Sequence, residues 1–80
     1  MLTGSQIRGA RAMLGWTIRE LAAHARMSVP TVQRLEQHDG VPPSRSQTLL
    51  DLKAALEQAG IAFTGTPEEP GVALRRRASP

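Results

Sequence analysis

Eighty residues make one small domain that buries only about 60–65% of its unfolded surface, so its core must rest on a few apolar side chains. Hydrophobic residues form 40% of the chain, which reads as globular rather than disordered, and the absence of cysteine excludes a disulfide framework and a thiolate metal site. Ten basic and seven acidic residues give a net charge of +3 and a pI near 11.1, a mild pull toward nucleic acid.

Four helices can be read in chain order. Thr3 and Gln6 form a capping box, Ile7, Ala10 and Leu14 share one face of the helix that follows, and Gly15 stops it. Thr17 and Glu20 form a second box, opening a helix with Leu21, Ala22 and Ala25 inward. Ser28 caps a third helix, with Pro30 in the first turn, where a missing N–H costs little. Gly40, Pro42 and Pro43 break the chain. Ser44 with Gln47 then starts a fourth helix bearing Leu49, Leu52 and Leu56, which Gly60 ends.

Beyond Gly60 the pattern changes to short strand-like pieces, Ile61–Thr64 and Val72–Arg75, around the turn-rich Gly65–Gly71. The expected fold is mainly α, a helical bundle with a short C-terminal β-hairpin or strand pair. Residues 1–60 read as the helical domain and 61–80 as a strand segment with a basic tail, in which Arg75, Arg76 and Arg77 are open to three readings, a phosphate-binding arm, a solvated tail or part of a strand, the last two being favoured. Trp16 and Phe63 are the only large rings. Trp16 is expected in the core, and Met13 and Met27 as packing residues. Arg8 is expected in solvent, and His24 and His38 at the surface or at helix ends.

The second and third helices carry the functional signal. They are joined by only Arg26-Met27 before Ser28 restarts the helix, and so short a connection forces the sharp crossing of a helix-turn-helix. At 100° per residue, Val29, Val32, Leu35 and Glu36 share one arc of the third helix. Pro30, Arg34 and Gln37 occupy the opposite arc, flanked by Thr31 and Gln33. A guanidinium, amides and a hydroxyl on one exposed face are the groups that read base edges or grip phosphates.

Glu36 is out of place on an inward arc, because a buried carboxylate needs a partner. Arg11 has the matching anomaly in the first helix, where it shares the arc of Ile7, Ala10 and Leu14. The two are expected to pair and fix the helix packing.

Three stretches, residues 7–17 (IRGARAMLGWT), residues 20–22 (ELA) and residues 28–36 (SVPTVQRLE), resemble the Xre/Cro–C1 helix-turn-helix family over about residues 5–58. The resemblance implies a lambda-repressor-like bundle of four to five helices that binds operator DNA, usually as a dimer, with the helix over 28–37 in the major groove. By motif position, Val29, Pro30, Thr31, Gln33 and Arg34 would face bases, and Thr17, Arg19 and Gln37 would approach the backbone. Arg45, near the start of the fourth helix, is a further DNA-binding candidate. The chain departs from the family pattern at three places. Ile18 stands where many members carry a phosphate-clamping Gln, Arg26 replaces the usual turn Gly, and Val29-Pro30 forms an apolar leading edge where polar readers are common.

The implied function is sequence-specific double-stranded DNA binding by a transcriptional regulator, more specifically a repressor. Two short strands leave open edges, and pairing them across subunits through residues 61–76 would supply the two-fold symmetry of a palindromic operator. The alternatives are an antitoxin or protein-interaction adaptor with autoregulatory DNA binding, and a non-specific nucleoid binder. No nucleophile with a base and an orienting group can be assembled, so an enzyme is not expected, and neither is a cofactor or metal site. No apolar run approaches the roughly 18–20 residues of a membrane span, and the N-terminus lacks the apolar region of a signal peptide, so a cytoplasmic, nucleoid location without membrane partners is expected.

Overall fold

A computed structural model describes residues 2–66 and 68–75. The expected start signals operate at three helices. Thr3 opens α1 (Gly4–Leu14): its hydroxyl accepts from Gln6 N at 3.1 Å while Thr3 N donates to Gln6 Oε1 at 2.9 Å. Gly15 closes α1 in the left-handed region at φ 69°. Thr17 and Glu20 repeat the reciprocal box at the start of α2 (Ile18–Ala25), at 3.0 and 3.1 Å. Ser28 caps α3 (Val29–Glu36) by accepting from Thr31 N at 3.3 Å, with Pro30 in the first turn.

The fourth helix begins differently from the sequence reading. α4 (Ser46–Gln58) starts two residues after Ser44, its N-cap is Arg45, and no side chain caps it. Gln47 then falls too early in the helix to reach back. Its amide donates instead to Asp51 Oδ1, one turn onward, at 2.7 Å.

The chain ends the helix at Ala59 and turns at Gly60 (φ 109°), whose carbonyl accepts from Arg75 N at 2.7 Å. A Cβ at Gly60 would meet the Arg75 carbonyl at 2.9 Å, so glycine is required both to turn and to admit the returning strand. β1 (Ile61–Gly65) and β2 (Pro70–Leu74) pair antiparallel within the chain, with Ile61 opposite Leu74 and Phe63 opposite Val72. The second strand begins earlier than the sequence reading placed it. Arg75 follows it and is exposed, and Arg76 and Arg77 lie outside the described residues.

The architecture is thus mainly helical, with four helices among the described residues and a C-terminal two-stranded antiparallel hairpin. Its core joins every helix to the hairpin: Ile7 and Ala10, Leu21, Ala22 and Ala25, Val32 and Leu35, Leu52 and Leu56, then Ile61. Phe63 and Val72 pack against this core from the sheet, and Val72 Cγ2 lies 3.3 Å from the position a Cβ would take at Gly9. Gln6 Nε2 donates to Gly71 O at 3.0 Å, so α1 carries β2 through both an apolar and a polar contact.

Two packing expectations are corrected. Trp16 is half-buried at the core's edge, where its ring stacks on the exposed His24 ring with centroids 4.1 Å apart and planes 1° from parallel. Met13 is 47% exposed, because the face of α1 that meets the core passes through Ile7 and Ala10. Met27, by contrast, packs against the core. No helix among the described residues is long and apolar enough to cross a membrane.

Candidate nucleic-acid interface

The connection between α2 and α3 is closed by the backbone. Met27 N donates to Ala22 O at 2.9 Å and Arg26 N to Ala23 O at 3.2 Å, while Arg26 itself adopts φ 58°. A left-handed backbone at a residue with a Cβ is strained, and here it produces the sharp reversal that Gly usually supplies. Ser28 restarts the helix at once. Val32, Leu35 and Glu36 turn inward and are buried, and Val29 packs on the core from its rim.

The opposite side of α3 is open. Pro30, Gln33, Arg34 and Gln37 are exposed, and the side chains of Gln33, Arg34 and Gln37 make no hydrogen bond among the described residues. Their donors and acceptors are therefore available to an external partner. Thr31 is half-buried with its hydroxyl 2.7 Å from Ser28 Oγ, so this group belongs to the helix cap as well as to the face. Arg19, on α2, and Arg45, before α4, are exposed cations. Thr17 accepts from Glu20 N, which leaves its hydroxyl proton free to donate outward.

The face is held in place by charge. Arg11 Nε donates to Glu36 Oε2 at 2.9 Å and Arg11 Nη2 to Glu36 Oε1 at 3.2 Å, a two-pronged pair between α1 and α3. The side chain of Glu36 is 5% exposed and that of Arg11 24%, so this is an interior contact with one wet edge. Arg11 Nη1 donates further to Trp16 O at 3.0 Å, which ties the turn before α2 into the same network. Among the described residues no buried side-chain polar atom lacks a partner.

Two neighbouring anchors were missed from sequence. Arg8 is held rather than solvated: it donates to the Glu36 carbonyl at the end of α3, to Ser5 Oγ at 3.2 Å and to Asp39 Oδ1 at 2.8 Å. Gly4 N donates to Gly40 O at 3.0 Å, and a Cβ at Gly4 would meet the Leu35 carbonyl at 2.7 Å and collide with the His38 backbone. The start of α1 therefore lies directly on the exit of α3.

The described residues contain no cluster of three or more His, Asp or Glu side chains suited to a metal ion. In comparisons with known proteins, no family model matches the chain and no curated protein matches it significantly.

Proposed function

We propose that this protein binds double-stranded DNA with sequence preference and regulates transcription, most simply as a repressor, by laying α3 in the major groove. The observation that carries the reading is the two-sidedness of α3. Val32, Leu35 and Glu36 lock it to α1 and α2, while Gln33, Arg34 and Gln37 stand exposed along the outer side, their side chains making no hydrogen bond among the described residues. Arg34 has the planar fork suited to guanine O6 and N7, and Gln33 has the amide suited to adenine. Thr17, Arg19, Gln37 and Arg45 have the chemistry to engage phosphates around that helix. Val29 and Pro30 offer apolar contact to thymine methyl groups at its leading end.

The working form is a homodimer joined through residues 61–76. Two α3 helices related by a two-fold axis would meet half-sites one helical turn, roughly 34 Å, apart. A cytoplasmic, nucleoid location follows from this reading. Selection of bound sequences from random duplexes at fixed physiological salt tests it. Enrichment of a palindromic motif is the expected result, and the absence of any enrichment or retention overturns it.

A further inference from the structure

A groove of about 440 Å³ lies between α1, the start of α2 and the end of α3, lined by Arg8, Ile18, Gln33, Glu36 and Gln37. It opens beside the outer face of α3, since Gln33 and Gln37 belong to both. Gln33 and Gln37 bring neutral amides that can donate, and Arg8 a guanidinium whose side chain is 40% exposed. The one carboxylate in the wall, Glu36, has both oxygens engaged by Arg11. The anion that Arg8 holds, Asp39, has a side chain 90% exposed, and so exposed an ion pair gains little in water.

We infer that this groove takes a phosphodiester of the DNA backbone, with Arg8 exchanging Asp39 for the phosphate. The assignment rests on the DNA-binding function proposed above. Arg8 is tied at one end to the Glu36 carbonyl, so the guanidinium is already positioned when the phosphate arrives. Asp39 holds Arg8 Nη2 in the free protein and so competes with that phosphate for the guanidinium. Ile18 supplies no polar group at this point, and Arg8 reaches the same region from α1. The contact carries no sequence information and acts alike on every duplex.

The test is equilibrium binding of the intact chain to its selected duplex and to a scrambled one, across a salt series, for wild type, Asp39→Asn, Arg8→Gln and the double variant. Asp39→Asn should tighten both duplexes by about 2–5-fold, the strength of an exposed ion pair. Arg8→Gln should weaken both by a similar factor and flatten the slope of log affinity against log salt by about 0.9, one phosphate's share. In the Arg8→Gln background, Asp39→Asn should have almost no effect. An undiminished effect of Asp39→Asn in that background, or none in the wild type, overturns the exchange, because the carboxylate would then act only as a distant charge or not at all. The Asp39→Asn arm stands even if Arg8→Gln misfolds, since it changes only an exposed side chain. Inorganic phosphate at matched ionic strength should leave the Arg8 Nε–H resonance in place while duplex shifts it, and an equal shift by both would assign the groove to a free anion. A wild type that binds no duplex overturns the proposed function itself, whereas duplex binding indifferent to Arg8→Gln overturns this assignment alone.

Discussion

Arg11 and Glu36 hold α1 and α3 together through two parallel bonds, Nε to Oε2 at 2.9 Å and Nη2 to Oε1 at 3.2 Å. The carboxylate is the more deeply buried partner, so the pair is asymmetric. Removing Glu36 leaves the largely buried Arg11 guanidinium without its counter-charge, holding only the Trp16 carbonyl, and vacates a buried site on α3. Glu36→Ala should therefore cost about 3–5 kcal/mol in urea unfolding. Arg11→Met combined with Glu36→Leu should recover most of that loss, because a buried ion pair stabilises little more than apolar residues of similar volume. A double variant as unstable as Glu36→Ala would show that the pair itself contributes the stability.

Gly4 should tolerate no side chain. A Cβ there meets backbone at Leu35 and His38 rather than a movable side chain, so relief requires α1 to shift off the end of α3. Gly4→Ala is expected to lower stability by about 1–3 kcal/mol despite the better helix propensity of alanine. Thermal melting of the variant measures this. An unchanged or raised melting temperature would mean that the two helix ends do not meet as described.

Arg26 should respond in the opposite direction. Its left-handed backbone at φ 58° costs a residue with a Cβ about 1–2 kcal/mol, part of which glycine gives back through the greater freedom of its unfolded chain. Arg26→Gly should raise stability by about 0.5–1 kcal/mol, a melting increase of a few degrees in a domain of this size. A fall in melting temperature would instead assign Arg26 a contact that outweighs its strain.

The proposed dimer places a demand on the hairpin. Sedimentation equilibrium of the intact chain should give twice the 8.6 kDa chain mass at micromolar concentration. Leu74, 41% exposed at the end of β2, is an apolar group in the proposed interface whose replacement leaves the core untouched. Leu74→Lys should shift the equilibrium toward monomer without changing the circular dichroism. A wild-type chain that stays monomeric at much higher concentration removes the dimer.

What the sequence made legible is local. Thr3, Thr17 and Ser28 are caps whose partners lie three residues away, and the inward arc of α3 follows from helical period alone. The Arg11–Glu36 pair spans 25 residues yet was visible, since each charge sat on an otherwise apolar arc. Arg8 carried no such signal. It lies beside the buried face rather than on it, and its partners, the Glu36 carbonyl and Asp39, come together only when the chain leaves α3. Gly4 was hidden for the same reason, because the obstacle to a side chain there is a backbone 31 to 34 residues onward. The fourth helix was misjudged at its start because Ser44 and Gln47 match a cap at the right spacing, while the cap position falls one residue later, at Arg45.

The outer face of α3 is tested most directly through Arg34, whose exposed side chain makes no hydrogen bond among the described residues, so its removal should leave the fold intact. The measurement is the affinity of wild type and Arg34→Ala for a selected palindromic duplex and for its scrambled counterpart, at one fixed salt concentration. Wild type should prefer the palindrome, and Arg34→Ala should lose about 1–3 kcal/mol on it while melting as wild type does, with a relaxed preference at one base position in each half-site. Equal affinity of the two proteins for both duplexes would contradict a recognition role for this face.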